Sequence, residues 1–198
     1  MYSLLLLYIA GQNRIIPLMK KAIIFHGTDE NPQKYWYPWL AGRLETRGYE
    51  VQVPHYPELN RAPIAEFIGT VLGRHTFDDE TTLVGHSAGA PLLLSILERI
   101  DVVVPQAILV AGFTEPLGPD ASDPILQDTY NWEKIKANAE DIYFINSTND
   151  PWGCDDKQGR IMLEHLGGTQ IVRKEGHFGS GTYGQPYPAF ELVDRLIP

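Results

Sequence analysis

Thr81-Thr82-Leu83-Val84-Gly85-His86-Ser87-Ala88-Gly89-Ala90 is the stretch that decides how this chain folds. An apolar strand pattern from Thr81 to Val84 gives way, across Gly85-His86-Ser87-Ala88-Gly89, to an apolar helix beginning near Ala90. A pentapeptide G-x-S-x-G in that position reads as a nucleophile elbow. It lifts a serine hydroxyl clear of its neighbours on a strained strand-to-helix turn, and its glycines are small because strand and helix nearly collide there. The flanking strand and helix make the reading specific, since the bare pentapeptide also arises by composition.

Working outward, short runs rich in Ile and Val recur at Ala22 to Phe25, Glu50 to Val53, Ala107 to Val110, Asp141 to Ile145 and Thr169 to Val172. Between them lie stretches of helical periodicity: Tyr35 to Thr46, Pro63 to Arg74, Gly89 to Ile100, Trp132 to Ala137, Asp156 to Leu166 and Ala189 to Leu196. Near-continuous apolar strands alternating with helices predict an α/β fold, a mainly parallel six-stranded sheet with helices on both faces. In such sheets ligands bind beyond the carboxyl ends of the strands, where strand order reverses. The loops after Phe25, Val84, Val110, Ile145 and Val172 should therefore converge on one edge.

A chain of 198 residues, 43% hydrophobic, fits one domain with a sizeable core. Its net charge of -9 argues against nucleic acid or an anionic membrane surface as partners, because both require clustered Lys and Arg. The single cysteine, Cys154, permits no intramolecular disulfide and fits a cytoplasmic setting; nothing suggests a structural zinc site. The apolar run Leu4 to Ala10 is too short to span a bilayer and no basic region precedes it. We read residues 1–18 as an N-terminal extension, with an upstream start favoured over a poor signal peptide or an extra helix. The domain then occupies residues 19–198.

A serine hydroxyl is a poor nucleophile at neutral pH and needs a general base, whose imidazole in turn needs a carboxylate to fix its tautomer. In hydrolases built on this elbow the acid follows a late strand and the histidine lies in the last loop. Asp150, in Asn149-Asp150-Pro151, and His177, in Gly176-His177-Phe178-Gly179, occupy those places. Of the other histidines, His86 must point away from the serine, His26 is expected to shape the loop after the first strand, His75 and His165 fall at predicted helix ends, and His55 has no assigned role. Asp123 is the substitute acid; Asp155 and Asp156 read as helix N-terminal residues.

Negative charge developing on a carbonyl oxygen calls for preorganised donors. The Ala88 N–H at the start of the helix is one. The second is expected from Gly27-Thr28-Asp29-Glu30, with Gly27 permitting close approach and Thr28 as donor. Trp36, Trp152 and Phe178 are candidate pocket walls. For Trp36, and for the neighbouring Tyr37 and Trp39, the competing reading is packing of the first helix on the sheet. Paired metal-ligand spacing such as H-E-x-x-H is absent from the sequence, and neither a metal nor a cofactor is expected.

These segments, together with His26-Gly27, Trp36-Tyr37-Pro38-Trp39, Trp132-Glu133-Lys134-Ile135-Lys136-Ala137-Asn138 and Ser147-Thr148-Asn149-Asp150-Pro151, resemble the small serine hydrolases similar to retinoblastoma-binding protein nine. The likeness runs from about Met19 to Pro198. It implies a minimal α/β-hydrolase lacking the first two strands of the larger fold, with triad roles on Ser87, Asp150 and His177. Asn149 departs from the second acidic residue expected there, and the Gly-, Tyr- and Pro-rich loop from Phe178 to Tyr187 is individual to this chain. The expectation is a cytoplasmic serine hydrolase acting on small carboxylic esters, with activity falling below about pH 6. An amidase or aminopeptidase-like enzyme is the alternative within that chemistry, and a protein-binding module on the same scaffold the alternative outside it. No docking motif for a protein partner is recognisable.

Overall fold

A computed structural model describes residues 19–119 and 121–198; residues 1–18, read above as an extension, lie outside the described residues. The chain alternates β1 (Lys21–Phe25), α1 (Tyr37–Glu45), β2 (Glu50–Gln52), α2 (Ile64–Arg74), β3 (Thr81–His86), α3 (Gly89–Leu97), β4 (Val104–Val110), α4 (Trp132–Ala137), β5 (Ala139–Ser147), α5 (Asp156–Leu166), β6 (Thr169–Arg173) and α6 (Glu191–Leu196). The strands form one sheet in the order β2-β1-β3-β4-β5-β6, and every pairing is parallel.

That order places the reversal between β1 and β3. From β1 the chain steps one way to β2, then crosses back and adds β3 to β6 in the other direction. Because parallel crossovers are right-handed, a reversal of direction moves the connecting helix to the opposite face. Accordingly α1 packs with α6, while α2, α3, α4 and α5 touch one another in succession. The carboxyl ends of β1 and β3 are left diverging connections, and the crevice between them opens beside Gly27 and Ser87.

Burial follows position in the sheet. All six residues of β3 are buried, as are all nine of α3, an apolar helix sandwiched between the sheet and its neighbours. The edge strands are short and polar: β2 is three residues and β6 carries exposed Thr169, Val172 and Arg173.

Several boundaries differ from the sequence reading by a few residues, and three of them have a visible cause or consequence. The third strand continues through Gly85 and His86, which pair with Leu109 and Val110 of β4. The fourth begins at Val104, before Pro105; pairing with β3 starts only at Gln106, so proline sits where β4 has a single neighbour. The first helix begins at Tyr37 because Tyr35 adopts φ 49°, which no helix accommodates.

Candidate active site

The elbow is built by two glycines that leave no room for a side chain. A Cβ on Gly89 would lie 2.5 Å from the Phe25 carbonyl oxygen, and one on Gly85 would overlap the Gly89 carbonyl. Between them Ser87 is held at φ 53°, a left-handed conformation that costs an ordinary residue about 1–3 kcal/mol and persists only where its surroundings impose it. Here the Ser87 N–H donates to Val110 O at 2.8 Å, and Ser87 O accepts from Ala90 N–H at 2.9 Å, so ladder and helix fix the turn from both sides.

The loops after β5 and β6 bring an acid and a base to the same place. His177 Nδ1 lies 2.7 Å from Asp150 Oδ2, with the two side chains 4% and 0% exposed. This bond makes Nδ1 the donor and leaves Nε2 as the free lone pair. Burial pushes the His177 pKa below its ordinary value; the Asp150 carboxylate opposes that, and the nearby His86 adds to it. Ser87 and His177 both wall a cavity of about 400 Å³. Among the described residues Ser87 Oγ makes no hydrogen bond to the imidazole, as is common before substrate tightens such contacts. Asp123, the substitute acid, instead accepts from Leu117 N–H at 3.2 Å and from Asn60 Nδ2 at 3.1 Å.

The loop bearing His177 is held by side chains around it. Gln185 Oε1 accepts from His177 N–H at 3.0 Å and Gly179 N–H at 3.4 Å, while its Nε2 donates to Glu175 O. Asn149 Oδ1 accepts from Gly176 N–H at 3.0 Å and from Ser147 Oγ at 2.9 Å. An amide thus makes, at the position where a second acid was expected, contacts that need only an acceptor. The segment from Phe178 to Tyr187 folds back through an antiparallel bridge between Ser180 and Gln185 and carries Ser180, Gly181 and Thr182 into the cavity wall.

The candidate oxyanion donors separate on inspection. Thr28 walls the cavity, and neither its N–H nor that of Ala88 has a hydrogen-bond acceptor among the described residues. The Gly27 N–H, by contrast, donates to Glu30 Oε2 at 3.1 Å and faces Tyr37 Oη at 3.4 Å, so within the expected oxyanion loop Gly27 offers close approach and not a free donor. A Cβ on Gly27 would lie 3.0 Å from Ser87 Cβ and 3.0 Å from Glu30 Oε2, so a larger residue there would crowd the serine.

Two pocket expectations are also corrected. Trp36 and Phe178 are fully buried and do not wall the cavity. The Trp36 indole N–H donates to Phe178 O at 2.9 Å, and both rings pack against Phe190, so they tie α1 to the His177 loop from beneath. Tyr37 is buried as well, leaving Tyr35, lifted out by its positive φ, as the aromatic from this segment that faces the cavity. Trp152 does wall it, 42% exposed and edge-on to Tyr183.

His26 Nε2 accepts from Tyr56 N–H at 3.0 Å and its Nδ1 meets Gly27 O at 2.7 Å, shaping the loop after β1. His75, rather than facing solvent, joins Tyr56 Oη and Gln52 Oε1. His86, fully buried, contacts Tyr37 Oη and His177 O. The sequence reading missed this last connection; the only signal for it was a histidine placed inside the elbow itself. Asp150, Cys154 and His177 offer potential ligand atoms within 4.8 Å of one another. Asp150 and His177 are hydrogen-bonded to each other there, and burial pushes the Cys154 thiol well above its usual pKa.

The fold is that of an α/β-hydrolase. A family model described as serine hydrolase matches residues 22–194, and the chain belongs to that family. It is 29% identical to YdeN of Bacillus subtilis (strain 168) over 137 residues, 67% of this chain and 72% of that one. It is also 29% identical to the serine hydrolase RBBP9 of Rattus norvegicus over 120 residues, 59% of this chain and 63% of the rat protein. Among solved structures, the ydeN gene product superposes with a TM-score of 0.81 at 24% identity, covering 90% of this chain and 96% of that one. The esterase EaEST from Exiguobacterium antarcticum superposes at 0.60 with 17% identity, covering 90% of each. At those identities the superpositions speak for the fold alone. No helix among the described residues is long and apolar enough to cross a membrane.

Proposed function

We propose that the protein hydrolyses small carboxylic esters through an acyl-enzyme on Ser87, with His177 as base and then acid and Asp150 orienting the imidazole. The observation that carries this is the 2.7 Å contact between His177 Nδ1 and Asp150 Oδ2, in a cavity whose wall also holds Ser87 at φ 53°. In the first step the Ser87 hydroxyl passes its proton to His177 Nε2 as oxygen attacks the carbonyl carbon. The oxyanion draws on the N–H groups of Ala88 and Thr28, and the leaving alcohol takes the proton from imidazolium. Water then repeats the sequence on the acyl-enzyme and releases the acid.

A cavity of this size, partly polar and open at Trp152, suits short acyl groups better than long lipid chains. The single buried thiol fits a cytoplasmic protein. The test is labelling with a fluorophosphonate, read by intact mass on the parent, Ser87→Ala and His177→Ala proteins, followed by turnover of p-nitrophenyl acetate. Labelling and turnover by the parent alone support the reading. A folded parent that neither labels nor turns over would instead make the chain a binding module on a hydrolase scaffold.

A further inference from the structure

Behind the elbow lies a buried chain of polar groups that the mechanism above does not use. Tyr37 Oη is 2.5 Å from His86 Nδ1 and in hydrogen-bond contact with Glu30 Oε2; His86 Nε2 is 2.7 Å from the backbone oxygen of His177. Tyr37 and His86 are fully buried, and the Glu30 side chain is 11% exposed at the cavity wall.

Counting protons on this chain gives a definite answer. The His177 carbonyl can only accept, so His86 Nε2 must carry hydrogen. The two remaining contacts, Glu30 to Tyr37 and Tyr37 to His86 Nδ1, each require a proton, and Tyr37 supplies one. The second therefore resides on Glu30 or on His86 Nδ1. In the first arrangement the Glu30 carboxyl donates to Tyr37 Oη and the phenol donates to a neutral imidazole; in the second an imidazolium donates to Tyr37 and the phenol to a carboxylate. Both have zero net charge. A carboxylate facing a neutral His86 would leave one close contact without hydrogen and an uncompensated charge beside the oxyanion loop.

We infer that Glu30, Tyr37 and His86 form a proton-sharing relay that locks the loop bearing His177 to the oxyanion loop, making all three positioning residues for the reaction at Ser87. The relay spans the two parts of the site that must hold register: Glu30 receives the Gly27 N–H beside Thr28, and His86 holds the carbonyl of the base itself. Other titratable groups near His86 are His26, Tyr35 and the His177 ring, the last at 5.0 Å between ring centroids. The inference rests on the proposed roles of Ser87 and His177 for its kinetic readout, but not for its proton count.

The full chain should be compared with Glu30→Gln, Glu30→Ala and Tyr37→Phe. Gly27 N–H and Tyr37 Oη converge on one Glu30 oxygen, Oε2, so a glutamine amide can serve both only by accepting, which leaves Tyr37 facing His86 Nδ1 without the shared proton. Glu30→Ala, the isosteric Glu30→Gln and Tyr37→Phe should each lower kcat about 10–100-fold with KM changed less than about threefold. In the parent, NMR of the His86 ring should show a slowly exchanging proton on Nε2 and a second proton in the contact between Nδ1 and Tyr37 Oη, the second one lost in Glu30→Gln.

A Glu30→Gln protein with parental kcat and an unchanged His86 ring spectrum would overturn the relay. If Glu30→Ala does not fold, Glu30→Gln decides alone. A parent whose His86 ring shows both protons but which never labels at the serine retains the relay and loses the esterase reading. Labelling without those two protons does the reverse.

Discussion

Asp150 and His177 meet through a single hydrogen bond of 2.7 Å between atoms almost wholly withdrawn from solvent. The bond presents Nε2 toward the cavity in the form that can take a proton. Asp150→Asn preserves the shape but favours the tautomer with hydrogen on Nε2, and should reduce kcat about 10⁴-fold while leaving the melting temperature within a few degrees. Steady-state ester hydrolysis and a thermal melt check both halves; a loss of less than about tenfold would remove Asp150 from its role.

The pH profile follows from the environment of His177. Burial holds its pKa below 6.5 in the folded protein, against the opposing pull of Asp150. As the proposed base, His177 therefore stays neutral to lower pH than a free histidine, and kcat/KM should remain level through pH 6.5, falling only at more acid values. For stability, the unfolded chain binds this proton more readily than the folded one. The contribution is fully present above pH 6.5, declines as pH falls below that value, and stops changing once pH is under the folded pKa. An acid limb centred above 6.5 would contradict the burial argument.

Trp36 and Trp152 should respond in opposite ways. Trp36→Ala removes a fully buried ring and its hydrogen bond to Phe178 O, and should cost about 3–5 kcal/mol of stability, measured by urea unfolding. Trp152→Ala should leave stability within about 0.5 kcal/mol and raise KM for p-nitrophenyl esters several-fold at nearly constant kcat.

Gly89→Ala tests the elbow without touching its chemistry. The added methyl would be driven against the Phe25 carbonyl, with an expected cost at the upper end of the overpacking range of about 1–3 kcal/mol. Differential scanning calorimetry should show a drop of roughly 5–10 °C. An unchanged transition would mean that strand and helix are farther apart than described.

Cys154 is buried and its thiol is pushed well above its usual pKa, first by burial and then by the carboxylates of Asp150, Asp123 and Asp155. It should be silent to a thiol reagent in the native protein and react stoichiometrically after denaturation.

What the sequence made legible was whatever local pattern dictates. The six strands and helices follow from period and punctuation, and Ser87, Asp150 and His177 from their places after the third, fifth and last strands. What it hid depends on long-range geometry. Trp36 reads first as wall, with core packing as its competitor, and only the turn at Tyr35 decides, by rotating one aromatic into the cavity and the next beneath it. Gly27 has the right residue type for an oxyanion loop, but its N–H is claimed by Glu30, three residues on. The partnership of His86 with Tyr37 joins residues far apart in sequence, and no motif encodes it.

Gln185 separates two duties that share one loop. Because its amide holds the backbone around His177 from behind, the tip at Gly181 and Thr182, which walls the cavity, makes none of those contacts. On the proposed reading, the tip is the place to vary what enters the cavity while Gln185 is kept, a replaceable part mounted on a fixed bracket.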